Sequence, residues 1–234
     1  MITRNQIKLV RSLSHKKFRD ETGLFVAEGK KLVEDLQQDF EVEFIITPAD
    51  ATSKQIEQLS ALRSPQGYIG VFRQKHSPLP TVSGQQLLLA LDGVQDPGNL
   101  GTIIRTADWF GVRDIVCSLQ TADCYNPKVV QATMGAISRV RVHYTELTGW
   151  LQAAAASVPV YGTLLNGKDI YNETLSNSGI IVMGNEGNGI SQDVRRLITN
   201  PLLIPSYPAA EKTSESLNVS IATAVTLAEF RRRT

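Results

Sequence analysis

"LLLALD", residues 87–92, holds five apolar residues in six with no polar break. A run so short and continuous fits a strand covered on both faces, as in a parallel sheet, better than the striped face of a helix. Outward from it the pattern repeats. "RDIVCS", "RVHYT", "VPVYGTLL", "GIIVMGN" and "PLLIP" read as strands. "TIIRTADWFG", "KVVQATMGAI", "GWLQAAAASV", "SQDVRRLIT" and "SLNVSIATAVTLAEFRRR" read as helices. Strand alternating with helix predicts an α/β domain with a mostly parallel sheet, whose ligands sit beyond the carboxyl ends of the strands.

Upstream lies a smaller α/β unit: helices around "QIKLVRSL", "KKLVEDLQQ" and "SKQIEQLSAL", and strands "GLFVAEG", "VEFIITP" and "YIGVF". In "QKHSPLPTVSGQ", residues 74–85, two prolines forbid helix while Ser and Gly discourage strand. The expected domains are therefore 1–76 and 86–234, joined by a linker at 77–85.

With 234 residues and 42% hydrophobic content the chain can bury a real core. No stretch reaches the roughly 18–20 apolar residues of a membrane span, and the start lacks a secretory core, so a cytoplasmic location is the default expectation. Cys117 and Cys124 have no histidines at ligand spacing, which points to reduced thiols and neither a disulfide framework nor a metal site. The net charge of +1 says little, but its distribution does. Arg4, Lys8, Arg11, Lys16, Lys17 and Arg19 fall in an opening segment without acidic residues, and the chain ends near Arg231, Arg232 and Arg233. Such clusters suit RNA phosphates, or equally a solvated helix face.

Three loops carry the chemistry. "LDGVQDPGNLGTIIRTADWFGV", residues 91–112, makes a tight turn into a helix expected from about residue 99, with Asn99 and Arg105 on neighbouring faces; Gly111 stops it. "VMGNEGNGIS", residues 182–191, sets Glu186 among Gly184, Gly187 and Gly189, a spacing that is neither the dinucleotide fingerprint nor the P-loop. The glycines allow unusual torsions and close approach to main-chain N–H groups. In "LLIPSYPAAEKTSESLNVSIATAVTLAEF", Ser216 occupies an expected N-cap position, with Leu217, Val219, Ile221, Ala224 and Val225 facing inward. Small residues Ser220, Ala222, Thr223, Ala224 and Ala228 would admit a second helix. Capping leaves Asn218 unexplained, since Asn is a mediocre helix former. Read singly, each loop also fits a plain turn with a solvated Arg105 or Glu186.

In order and together, "DPGNLGTIIRTADWFG", "VMGNEGNGIS" and "IPSYPAAEKTSESLNVSIATA" resemble the three motifs of the SpoU-type (TrmH-like) RNA ribose 2′-O-methyltransferases of the SPOUT superfamily. The likeness covers residues 87–230. "LFVAEGKKLVED" and "QGYIGVF" are similar to the RNA substrate-binding domain that often precedes this catalytic domain. The resemblance implies S-adenosylmethionine as donor, RNA as substrate (ribosomal RNA ahead of tRNA), a trefoil knot and a homodimer formed through the final helix. It places Asn99, Arg105, Glu186, Ser216 and Asn218 at catalytic positions. Thr163, Leu164, Gly184, Asn185, Gly187, Ile204 and Leu217 would contact the donor. One departure is the longer loop 206–215, carrying Pro208 and Lys212, which bears on the shape of the adenine pocket. Because arginine stays protonated in proteins, Arg105 is expected to bind phosphate or the developing alkoxide, the base being left open. Glu186 would orient Arg105 or the ribose. Rival readings are another nucleotide-binding α/β protein, such as a flavodoxin-like domain, and an RNA-binding assembly factor without activity.

Overall fold

The computed structural model describes residues 1–62, 64–208 and 216–232. The amino-terminal unit runs α1 (Arg4–Ser12), α2 (Lys16–Thr22), β1 (Leu24–Glu28), α3 (Lys30–Leu36), β2 (Val42–Ile46), α4 (Ser53–Leu59) and β3 (Ile69–Arg73). Its sheet has the order β1-β3-β2 with antiparallel pairing throughout. Thr3 and Thr52 each begin a helix through a reciprocal capping box with the Gln three residues on.

The second unit continues β4 (Leu87–Asp92), α5 (Pro97–Trp109), β5 (Asp114–Ser118), α6 (Pro127–Thr133), β6 (Arg141–Thr145), α7 (Leu147–Ala155), β7 (Val160–Asp169), β8 (Gly179–Gly184), α8 (Gln192–Arg195), β9 (Asn200–Leu203) and α9 (Val219–Arg232). Its six strands pair in the order β6-β5-β4-β8-β7-β9, every one parallel to its neighbours. Side chains of a strand point alternately to the two faces, and the apolar run that opens β4 serves both. Leu87, Leu89 and Leu91 join the core beneath α5, α6 and α9, while Leu88 and Ala90 join the core beneath α7 and α8. Burying each such side chain contributes about 1.5–3 kcal/mol, so the run specifies a central strand.

Between β4 and β8 the chain order reverses: β5 and β6 lie to one side of β4, and β7 and β9 lie beyond β8. Such a switch point opens a crevice at the carboxyl ends of its strands. α5 packs against α6 through Gly101, where a Cβ would meet the Val129 carbonyl oxygen at 2.8 Å.

The two units share one core. Phe25 and Phe72 of the small sheet, Phe40 of the connection between α3 and β2, and Tyr125 of the loop before α6 form a ring cluster, with Phe25 and Tyr125 centroids 4.7 Å apart. The chain entering the linker is held twice: Tyr125 Oη donates to the Lys75 carbonyl at 3.0 Å, and His143 Nδ1 faces the Ser77 carbonyl at 3.3 Å. Asp114 holds His143 from the other side and accepts two bonds from Arg141. Burial pushes the Asp114 carboxyl up, but these donors pull it net below its ordinary value.

Several sequence expectations shift. α5 begins at Pro97, because Asp96 caps it by accepting from Asn99 N at 2.8 Å. α9 begins at Val219, and Leu217 and Ile221, expected inside, are exposed; Val219, Thr223, Leu227 and Phe230 carry its buried face. Both cysteines are free and buried, with thiols raised by burial, Cys124 to about 12, so neither is a ready nucleophile. Of the long loop 206–215, residues from 209 onward, Lys212 included, lie outside the described residues, as does Arg233. No helix among the described residues is long and apolar enough to cross a membrane.

Candidate active site

The three motif loops meet at the carboxyl ends of β4 and β8. Glu186, exposed in the loop after β8, accepts from three donors of the first motif: Gln95 N at 3.4 Å, Asp96 N at 3.3 Å and Asn99 Nδ2 at 3.0 Å. Asn99 Oδ1 in turn accepts from Asn218 Nδ2 at 2.9 Å. Asn218 closes the chain by capping α9: its Oδ1 accepts from Ser220 N at 2.9 Å, Ser220 Oγ at 2.6 Å and Ile221 N at 3.4 Å.

The direction of this chain is dictated by its end member. An ionised carboxylate only accepts, so the Asn99 amide nitrogen must face Glu186 and its oxygen must face Asn218, which then has to donate. Three segments separated by more than thirty residues each are thereby locked into one hydrogen-bonded line. Asn218, not Ser216, is the cap; Ser216 is exposed two residues earlier, and its side chain has no partner among the described residues. Asn is among the strongest N-cap residues, which resolves its odd place at the head of a helix.

The loop bearing Glu186 is rigid for local reasons. Asn185 Oδ1 accepts from Gly187 N and Asn188 N at 2.9 and 3.0 Å, Asn185 Nδ2 donates to Gly93 O at 2.7 Å, and the Asn185 and Gly189 backbones exchange two bonds. The three glycines differ in purpose. At Gly184 a Cβ would overlap the backbone of Gly189 and Ile190; Gly189 has φ of +66°; Gly187 has neither constraint, a Cβ there meeting only Asn185 Oδ1 at 3.7 Å. The crowding at Gly184 comes from the chain itself rather than from a ligand.

Arg105 departs from expectation. It is exposed and has no hydrogen-bond or ion-pair partner among the described residues, Glu186 included. Six residues of helix rotate a side chain to roughly 120° from Asn99, so the two diverge from one helix. The opening basic set also divides. Arg4 and Lys8 are exposed, Arg11 reaches Gln58 O, and Lys16 and Lys17 pair with Asp20 and Glu21 one turn on. Arg19 is 1% exposed and forms a 2.6 Å ion pair with Asp123 while donating to Leu13 O and Ser14 O. A guanidinium so enclosed clamps the two units together and is withdrawn from RNA.

Except for Leu217, just before α9, the expected donor contacts lie on or just after the adjacent strands β8, β7 and β9. The β7–β9 register jumps between Thr163 and Lys168, so Leu164 to Gly167 bulge from the ladder, as bulges beside binding sites do. Thr163 Oγ1 reaches Met183 Sδ at 3.8 Å, Leu164 and Ile204 are half-buried, and Leu165 and Leu217 are 77% and 49% exposed. Exposed apolar side chains beside this bulge fit a purine and the carbon chains flanking a sulfonium. The residues present are thus compatible with S-adenosylmethionine.

The model of the SpoU rRNA Methylase family matches residues 86–228, and that of the MRM3-like substrate binding domain matches residues 4–65. The chain is 33% identical, over 97% of its length and 96% of the relative's, to the 23S rRNA (guanosine(2553)-2′-O)-methyltransferase RlmP of Bacillus subtilis. Among solved structures, a TrmH-family protein from Porphyromonas gingivalis superposes with TM-score 0.89 at 40% identity, covering 100% of both chains. An rRNA methyltransferase from Sinorhizobium meliloti with bound AdoMet gives TM-score 0.86 at 33% identity, covering 100% of this chain and 96% of that one.

Proposed function

This chain belongs to the SpoU rRNA methylase family, and from that premise we propose that it transfers a methyl group from S-adenosylmethionine to the ribose 2′-hydroxyl of a guanosine in 23S rRNA. The observation that carries the proposal is the Asn218–Asn99–Glu186 line, which gathers all three motifs at the sheet's switch point. A near-full-length relative that methylates a 23S rRNA guanosine supports the substrate.

S-adenosylmethionine supplies an electrophilic sulfonium methyl; Thr163, Leu164, Gly184, Asn185, Gly187, Ile204 and Leu217 would hold it. The protein's own task is to position a poor nucleophile and tolerate the charge that grows on its oxygen. Glu186, already held by three donors, is fixed in place and accepts from the ribose. Arg105, without a protein partner, is free to take an RNA phosphate or the developing alkoxide in a charge-assisted bond. Ser216 and Asn218 flank the same point. Arg4, Lys8, Arg11, Lys16 and Lys17 offer phosphate contacts on the amino-terminal unit. The chain acts in the cytoplasm, beside ribosomal RNA, as a homodimer whose catalytic domain carries the trefoil knot. Apolar Ile221 and Trp109, exposed on α9 and α5, favour that pairing.

The test is incubation with methyl-labelled S-adenosylmethionine and, separately, unmodified 23S rRNA, 16S rRNA and tRNA. Label should enter 23S rRNA as a 2′-O-methylguanosine, and Arg105→Ala should lower turnover about a hundredfold or more with donor affinity unchanged. Donor binding without transfer to any RNA would instead indicate an RNA-binding assembly factor.

A further inference from the structure

A cleft of about 410 Å³ opens beside the Glu186 loop, at the carboxyl ends of β4, β5, β6 and β8. Asp92, Glu146 and Asp193 line it together with Thr145, Asn188 and Ser118, and no Lys or Arg does. In an enzyme acting on RNA, such a lining repels phosphate. What it favours is a cation or an uncharged group rich in N–H donors, and among the parts of an RNA only the bases offer the latter.

The three carboxylates are not equivalent. Glu146 spends both oxygens capping α7, on Thr148 N and Gly149 N, and Asp193 pairs with Arg196. Asp92, the half-buried last residue of β4, accepts from Ser191 N at 2.8 Å through Oδ2, and its Oδ1 has no partner among the described residues. Asp92 therefore retains an unfilled acceptor beside the crevice. Of the four RNA bases only guanine presents two adjacent donors, N1–H and N2–H, on its Watson–Crick edge. Adenine and cytosine put an acceptor beside their single amine, and uracil flanks its one N–H with two carbonyls.

Resting on the methyltransferase reading above, we propose that this cleft receives the base of the target nucleotide and that Asp92 selects guanine by accepting from N1–H and N2–H, one at the free Oδ1 and the other at the remaining lone pair of Oδ2. The geometry suits it: Gln95 and Asn185 line the cleft and also frame Glu186, so a base seated here would leave its ribose at the catalytic line.

The experiment compares wild type with Asp92→Asn on two 23S rRNA fragments, one carrying guanosine at the mapped target and one carrying inosine, which lacks the N2 amine. Asp92→Asn keeps an acceptor for Ser191 N and so preserves the loop. Wild type should lose about tenfold in kcat/KM on inosine. Asp92→Asn should lose at least as much on guanosine and no longer distinguish the two, with S-adenosylmethionine affinity and Tm unchanged. An undiminished guanosine-to-inosine ratio in Asp92→Asn would overturn the assignment, and a fall in donor affinity would give the cleft to the donor instead. Wild-type transfer to neither fragment, despite donor binding, would overturn the methyltransferase reading itself.

Discussion

At the scale of single residues, the most consequential finding is that Asn218 does two things with one amide. Its oxygen caps α9 and its nitrogen holds Asn99, which holds Glu186. The two duties separate chemically. Asn218→Asp keeps an excellent cap but turns a donor into a carboxylate facing the Asn99 oxygen. The variant should melt within a few degrees of wild type in calorimetry while its turnover falls at least tenfold; turnover retained along with stability would make Asn218 a cap alone. Asn218→Ala should cost about 1 kcal/mol in stability as well. This residue was legible only by type. Its presence in the motif is plain, but which of Ser216 and Asn218 caps depends on where α9 starts, and helix starts are set by tertiary contacts that local pattern does not contain.

At the scale of elements, the glycine-rich loop illustrates the same limit. Three glycines in six residues read alike in sequence, yet only Gly184 is crowded by backbone and only Gly189 needs positive φ. Gly184→Ala should push apart the hairpin that presents Glu186, abolishing measurable transfer, whereas Gly187→Ala should retain activity within a fewfold of wild type. The paired assay checks this directly, and matching losses would refute the division. The strands were far more legible. Short apolar runs such as "LLLALD" and "GIIVMG", bounded by turn residues, suit a doubly covered sheet, and both are central strands. α9 was half legible: its length is clear, but the apolar residues on and just before it, Leu217 and Ile221 against Val219 and Leu227, cannot be assigned to inside and outside without knowing that α5 covers only one side.

At the scale of the molecule, the two units are less independent than their sequences suggest. A linker without regular structure separates them, yet Phe25, Phe40, Phe72 and Tyr125 make a joint core, and Arg19 reaches across to Asp123. Nothing within a basic amino-terminal stretch distinguishes the one arginine that is buried, because its partner lies 104 residues away. Arg19→Ala strands Asp123 and should lower unfolding free energy by about 3 kcal/mol in urea titration. Lys17→Ala, on an exposed helix pair, should leave stability within about 0.5 kcal/mol and weaken only RNA binding. Holding the amino-terminal unit rigidly on the catalytic one fixes the distance between RNA contacts and the Glu186 line, which a methyltransferase selecting one nucleotide in a large RNA requires. The central claim is that this protein methylates one 23S rRNA guanosine. The most direct measurement is ribose-methylation mapping by mass spectrometry of 23S rRNA from cells with and without the gene. A single 2′-O-methylguanosine should disappear and return with the wild-type gene but not with Arg105→Ala. An unchanged ribose-methylation pattern in 23S rRNA would contradict it.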